Sequence, residues 1–273
     1  LVLVGLGGFV RATGAGLSCP DWPLCFGTVV PDNFGNGVAQ EVIHRYIATA
    51  VGVISLLLFY LSRTVRKQSP SWFRFAKIIL PLVIIQGIFG GLTVTQKLNP
   101  WVVTTHLALG TVFLQLVFQK LFSGYAKKDG EEVGLFSGKQ HLSIAIFLQV
   151  LIGGFMATSG ASLACNLLVA CSESGFMGDG GIPAQHLHMT HRIFAVVIVL
   201  LSLVIGLLDV KRAKQKSDTV IGLAIAIIAV TQLGIGVLNV YTKISSHVTV
   251  THLVLAQALL FFSLLRGRRR MAK

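Results

Sequence analysis

Apolar residues run along this chain in long, nearly unbroken blocks, with polar residues gathered between them. Eight blocks can be marked: Leu1–Thr13, Glu41–Leu61, Phe75–Thr95, Trp101–Phe122, His141–Thr158, His188–Leu208, Val220–Val240 and Val248–Leu265. A transmembrane helix takes about 17–25 predominantly apolar residues, a length that all but the first block reach. The first block begins inside an apolar segment without a signal-peptide pattern, and is expected to be the later part of a first helix. The pattern predicts an all-α integral membrane protein with eight transmembrane helices.

Composition points the same way. Hydrophobic residues make up 53% of the 273 residues and charged ones 12%, with a mean hydropathy of +0.77. A soluble domain carries about 25% charged residues. The net charge of +13 would suggest a nucleic-acid partner if it were spread over a soluble surface, but the basic residues are sorted by connection. Arg63, Arg66, Lys67, Arg74 and Lys77 surround the second connection. Lys120, Lys127, Lys128 and Lys139 surround the fourth, and Lys211, Arg212, Lys214 and Lys216 the sixth. The tail adds Arg266, Arg268, Arg269, Arg270 and Lys273. The two long connections, 14–40 and 159–187, contain no Lys or Arg. The positive-inside rule then puts both termini in the cytoplasm and both long loops outside. The charge is a topology signal, and no nucleic-acid partner is expected.

The chain also repeats itself. An offset of 146 carries Gly7-Gly8-Phe9 to Gly153-Gly154-Phe155, Cys19 to Cys165, Cys25 to Cys171 and Gln86 to Gln232. It also carries Gly90 to Gly236 and Thr105-His106-Leu107 to Thr251-His252-Leu253, while His44-Arg45 maps to His191-Arg192 with one residue inserted. Four helices per copy give both copies the same orientation, a parallel repeat. Two tandem four-helix bundles are expected, over residues 1–126 and 139–273, joined by a cytoplasmic linker at 127–138.

The repeat carries chemistry. His44 and His106 fall at matched depth, roughly 5–8 Å inside the outer boundary at 1.5 Å per residue, and His191 and His252 reproduce them. A single histidine at such a place is more often an interfacial side chain. Four of them, in register and at one depth, suit a planar metallocofactor held axially in each bundle, and haem is the apolar cofactor that such a bundle takes. Zinc asks for three or four ligands at one centre, which neither half offers. His141, at a cytoplasmic helix start, reads as interfacial, and His186 and His247, at outer loops or helix mouths, could contact a cofactor edge but are not counted as ligands.

The copies differ at one telling place. Glu41 shares a helix face with His44, and the corresponding residue of the second copy is His188. A first-turn glutamate can serve the helix dipole. Beside a metal-bound substrate it can instead move protons or stabilise a developing cation. The asymmetry makes the first bundle the reactive one, with Glu41 as its catalytic acid, and the second the holder of a permanent cofactor. Arg11, Arg45 and Arg192 stand where haem propionates would be met, although each could equally snorkel to headgroups.

Cys19 and Cys25, and likewise Cys165 and Cys171, lie in loops assigned to the oxidising side, where short-loop disulfides are the natural reading. Closing so small a ring contributes about 2–2.5 kcal/mol in the chain-entropy account. The second pair reads as structural; for the first, a redox role stays open. Gln86, Gln115, Gln149 and Gln232, with glycine pairs such as Gly90-Gly91, read as interhelical packing, and the glycine-rich faces leave room for a homo-oligomer.

The stretch from Gly8 to Cys25 (Gly-Phe-Val-Arg-Ala-Thr-Gly-Ala-Gly-Leu-Ser-Cys-Pro-Asp-Trp-Pro-Leu-Cys) resembles the first-helix and first-loop signature of haem A synthase. Glu41-Val42-Ile43-His44-Arg45 resembles that family's Glu-x-x-His-Arg motif. With the duplicated halves and paired loop cysteines, the resemblance covers essentially the whole chain. It implies a cell-membrane enzyme that oxidises the C8 methyl of haem O to a formyl group, through two hydroxylations and loss of water, giving haem A for terminal oxidases. It further implies that His44 and His106 face haem O with Glu41 as the key acid, and that His191 and His252 hold haem b. Partners would be haem O synthase and the terminal oxidase assembly. A di-haem electron carrier, the main rival, wants haems on opposite sides of the membrane, whereas all four histidines lie toward one side. A mere haem carrier would not need a carboxylate beside one histidine pair only.

Overall fold

The structure, a computed structural model, describes residues 1–122, 140–165, 167, 169–173, 175–178 and 182–271, with the side chains of 268–271 left out. The expected linker at 127–138 lies outside the described residues. Among these residues there are eight α-helices: α1 (Val2–Ala12), α2 (Val38–Thr64), α3 (Pro70–Thr95), α4 (Pro100–Leu121), α5 (His141–Thr158), α6 (Pro183–Lys211), α7 (Lys216–Tyr241) and α8 (Ser246–Met271). No strand is present among them beyond two isolated bridges, Cys25 with Thr28 and Ser172 with Gly175. Seven helices, α2 to α8, are long and apolar enough to cross a membrane, and α1 is a shorter apolar helix. This is an all-helical, multi-pass membrane architecture.

Most helices outrun their apolar blocks. The hydrophobic pattern starts α2 at Glu41 and α6 at His188, whereas the helices begin at Val38 and Pro183. Proline at the first helical position pre-sets φ and loses no helical hydrogen bond, so α3 and α6 both open on one. Gly37, just before α2, sits at φ +87°, and a Cβ there would fall 2.6 Å from Ser18 Oγ and 2.8 Å from Ala15 Cβ. Only glycine permits both the backbone angle and the close approach of the loop.

The chain divides into two units, Leu1–Lys120 and Leu121–Lys273. In the second, α5 packs on α6, α6 on α7, α7 on α8 and α8 on α5, closing a ring of four. Its dry core lies toward the end away from the long loop, where Leu142 and Ile146, Ile198 and Val199, Ile225 and Ala229, and Leu259 and Leu260 meet. The helices cross closely where Gly206 faces Gly222, each carbonyl 2.6–2.7 Å from the other's missing Cβ. The Ser143 and Ser263 hydroxyls pair at 2.7 Å, and Arg266 binds the Asp209 carboxylate through two nitrogens. In the first unit the closest backbone approaches are α1 on α2 and α2 on α3, and α4 is joined to α3 through side chains. Lys120, for example, donates to Ser71 at 3.0 Å and lies over the Trp72 ring.

Local details recur at the offset read from the sequence. Each long loop starts with a 3-10 turn, Ala15–Leu17 or Ala161–Leu163, after a left-handed glycine, Gly14 or Gly160. The α3–α4 and α7–α8 connections each use two left-handed residues, Lys97-Leu98 and Lys243-Ile244.

Candidate functional site

The site is built from the turns of the long helices next to the two long loops, and from those loops. Cys19 and Cys25 form one disulfide, and Cys165 and Cys171 the other, each bridging six positions. All four cysteines are buried. The first pair packs on Val38 and Val42 of α2, the second on Met189 of α6, so each disulfide seals a loop onto the first turns of a helix.

Polar contacts complete the seal. Glu41 is 4% exposed. Its Oε2 accepts from the Cys19 main-chain amide at 2.8 Å and its Oε1 from Arg45 Nη2 at 2.5 Å. Arg45 Nη1 donates further to the carbonyls of Asp21 and Leu24. In the second unit His188 Nδ1 accepts from the Cys165 amide at 3.3 Å, and Arg192 Nη1 donates to the Leu167 carbonyl at 2.7 Å. Cys165 and Leu167 stand at the places of Cys19 and Asp21, so the Glu-to-His exchange keeps the loop anchor and changes its charge. In the first loop Asp21 also accepts from the amides of Phe26 and Gly27 at 2.7 and 2.8 Å. The Gly27 amide foremost, then that of Phe26, with the nearby Arg45 charge adding least, hold its carboxyl below the usual carboxylate range even though the group is exposed.

The four histidines lie deeper than the hydrophobic pattern suggests, because their helices start earlier. His44, His106 and His252 each stand six residues beyond their helix's first residue and His191 eight, which is about 9 and 12 Å along the axis. His44 and His106 are near enough to interact electrostatically, as are His191 and His252. Every one of the four points its Cε1 at a glycine of a neighbouring helix. A Cβ on Gly7 would lie 3.0 Å from Cε1 of His44, and one on Gly90 3.3 Å from that of His106. The corresponding separations are 2.9 Å for Gly153 and His191, and 3.1 Å for Gly236 and His252. The glycine gaps are what let imidazoles enter between packed helices.

Glutamines, read from the sequence as packing residues, belong to the site. Gln86 Nε2 lies 3.3 Å from His106 Nε2, Gln232 Nε2 lies 3.4 Å from His252 Nε2, and Gln149 Nε2 lies 3.0 Å from His191 Nδ1. Gln149 and Gln232 also donate to the main-chain carbonyl of their histidine, at 2.8 and 3.0 Å. A signal was available: Gln86 precedes His106 by the same 20 residues that separate Gln232 from His252. Gln115 is buried on α4. His186 lies in the first turn of α6 and His247 in that of α8. Arg11 lies in the last turn of α1.

The donor set can be tested against a haem. Nδ1 of His44, His106 and His252 is buried without a hydrogen-bond partner among the described residues, and so is Oε1 of Gln86, Gln149 and Gln232. Buried polar atoms of this kind are costly unless something bound satisfies or reorients them. Among the described residues no three His, Cys, Asp or Glu side chains converge as a metal-ligand set. Two imidazoles per unit, in glycine gaps of an apolar helix bundle and three of the four backed by a glutamine amide, are a donor set that fits a haem.

Fold and site thus define a polytopic helical membrane protein carrying two imidazole pairs, each beneath a disulfide-sealed loop. The chain belongs to the COX15-CtaA family, described as cytochrome oxidase assembly protein, whose model matches residues 1–36 and 32–264. Among curated relatives it is similar to proteins named "Heme A synthase". That of Shewanella oneidensis is 27% identical, over 92% of this chain and 87% of the relative. Those of Bacillus cereus and Bacillus anthracis are each 28% identical, over 92% of this chain and 84% of the relative.

Proposed function

We propose that this chain is a haem A synthase, oxidising the C8 methyl of haem O to the formyl group of haem A for terminal oxidases. The observation that carries the reading is the pairing of one carboxylate with one histidine pair, in a chain of this family. Both units seat two imidazoles in glycine gaps, and where the first has the acid Glu41 three residues before its α2 histidine the second has His188 three residues before His191.

His44 and His106 take the substrate haem O. Glu41 lies three residues before His44 and so on its face of α2, which makes it the acid next to whatever that imidazole binds. Converting a methyl to a formyl group breaks carbon–hydrogen bonds, and a positioned carboxylate is a group that can move the protons involved. Arg45 and the Cys19 amide hold both of its oxygens, so its place is set before substrate arrives. The Cys19–Cys25 loop covers this end of the bundle and limits the access of water. His191 and His252 hold haem b, which when bound supplies one-electron redox capacity. Arg11, Arg45 and Arg192 are the cations for propionates at the outer mouths.

The same reading takes the two units as a parallel duplication, four-helix bundles over 1–126 and 139–273 with the segment 127–138 between them. It puts the protein in the cell membrane, with both termini cytoplasmic and loops 14–40 and 159–187 outside, as the basic connections require. Haem O synthase and the terminal oxidase assembly are its partners, and self-association through glycine-rich faces is part of the proposal.

The test is haem extraction and chromatography from membranes in which the chain is co-expressed with a haem O-producing enzyme. Accumulation of haem A is the expected result. Unchanged haem O, with the protein present and folded, would sink the reading.

A further inference from the structure

The four imidazoles are not held alike. His106, His191 and His252 each have a glutamine amide of the preceding helix within 3.4 Å of a ring nitrogen. His44 has no such partner, and its Nδ1 is buried and unpaired among the described residues. The reason lies in α1. Gly7 and Gly153 occupy the same place against Cε1 of His44 and His191, at 3.0 and 2.9 Å, so α1 meets α2 in the register in which α5 meets α6. Four residues before each glycine, on the same helix face, stand Leu3 in the first unit and Gln149 in the second.

We propose that this position decides whether the histidine opposite is a fixed or an exchangeable axial ligand. Gln149 is a positioning residue that fixes His191, and Leu3 leaves His44 free to turn aside so that substrate enters and product leaves. The inference rests on the haem A synthase reading above.

Gln149 Nε2 spans Nδ1 of His191 at 3.0 Å and the His191 carbonyl at 2.8 Å, so the amide is anchored on the backbone and the ring cannot turn without losing its Nδ1 contact. The Oε1 of Gln149 is buried and unpaired among the described residues. A half-turn of the amide exchanges the main-chain contact for an Nδ1–H···Oε1 bond, which selects the tautomer that leaves Nε2 for iron. A hydrogen bond of that kind raises ligand basicity and slows ligand loss. Leucine can make neither contact. The backbones agree with this division: the second unit closes a ring of four helices, whereas the closest approaches in the first are α1 on α2 and α2 on α3. A unit that turns over its haem needs a ligand that lets go, and a unit that keeps its haem needs one that does not.

The experiment compares the full chain with Gln149→Met, Gln149→Glu and Leu3→Gln, each purified from cells making haem O. The readouts are bound haem b and bound haem O plus A by extraction, and the midpoint potential and low-spin resonance of the haem b iron. Gln149→Met is expected to weaken haem b retention about 10–100-fold and to raise the potential, and Gln149→Glu, which keeps an acceptor, to restore both. Leu3→Gln is expected to leave haem b unchanged while the purified protein retains several-fold more haem O and A and releases haem A more slowly, on the logic that outer hydrogen bonds hold ligands. Parent-like retention and potential in Gln149→Met, or parent-like haem O and A retention in Leu3→Gln, would overturn the inference. If Gln149→Met fails to fold, the Leu3→Gln arm decides alone. A parent chain that makes no haem A refutes the underlying reading instead, so the two failures are distinct.

Discussion

Glu41 and Cys19 are joined by a 2.8 Å hydrogen bond from the cysteine's main-chain amide to the carboxylate, across 22 residues of sequence. His188 and Cys165 repeat the contact at 3.3 Å in the second unit. A carboxylate and a neutral imidazole can both accept this bond, the carboxylate more strongly, so the loop anchor survives the exchange in a weaker form. What the second unit lacks is the negative charge and the ion pair with Arg45.

Anchoring and proton transfer can therefore be separated at position 41. Glu41→Gln keeps an oxygen for the Cys19 amide and loses the carboxylate. Haem A formation is expected to fall by about 10²–10⁴, the usual worth of a positioned acid or base, while hydrogen exchange at the Cys19 amide stays slow. Glu41→Ala is expected to lose conversion and exchange protection together. Full conversion by Glu41→Gln would show that the residue is only an anchor.

The glycine gaps predict a graded series. Alanine would place its Cβ 2.9 Å from the imidazole carbon at Gly153 and 3.1 Å away at Gly236, inside normal carbon–carbon separations of about 3.5–4.0 Å. Haem b content is expected to drop in both, more in Gly153→Ala. Gly7→Ala and Gly90→Ala, at 3.0 and 3.3 Å, are expected to lower haem A formation with haem b retained, Gly7→Ala the more. Extracted haem, quantified per protein, checks the order.

The first loop carries its own acid sensitivity. Asp21 has its carboxyl held below the ordinary value by the Gly27 and Phe26 amides and by Arg45. A group whose folded value is depressed stabilises the folded loop above its unfolded value, and that contribution disappears as pH falls through the folded one. The contribution of Asp21 to the loop should thus be constant across the neutral range and start to be lost only below the ordinary carboxylate value, about pH 4. Trp22, seated against Gly91, reports on this in a Trp72→Phe, Trp101→Phe background. Asp21→Asn, which can accept only one of the two amide bonds with its single oxygen, is expected to weaken the loop at every pH and to remove the acid transition from the fluorescence.

The part-buried Arg266–Asp209 pair of the second unit sets a stability prediction. Removing the arginine takes two charge-assisted hydrogen bonds from the carboxylate. Arg266→Ala is expected to lower the unfolding midpoint followed by the haem b absorption band, and Arg266→Lys to lower it less. Equal midpoints for parent and Arg266→Ala would show that solvent or headgroups already screen the carboxylate.

Much of this protein could be read from its sequence. The long apolar blocks gave the helices because hydrophobic length is a local property, and each cysteine pair is too close in sequence to need any knowledge of the fold. The offset of 146, with one residue inserted before His191, brought His44, His106, His191 and His252 into correspondence before any helix was packed. Their environment needed the tertiary structure. Which glycine a histidine meets, that Gln86, Gln149 and Gln232 reach imidazoles, that Glu41 binds the Cys19 amide and that Arg266 finds Asp209 all depend on how helices turn about their axes against one another. Rotation of a helix that is apolar on nearly every face is not fixed by its own hydrophobic pattern. It is settled by close contacts with neighbours, such as Gly153 against His191, which only the packed chain supplies.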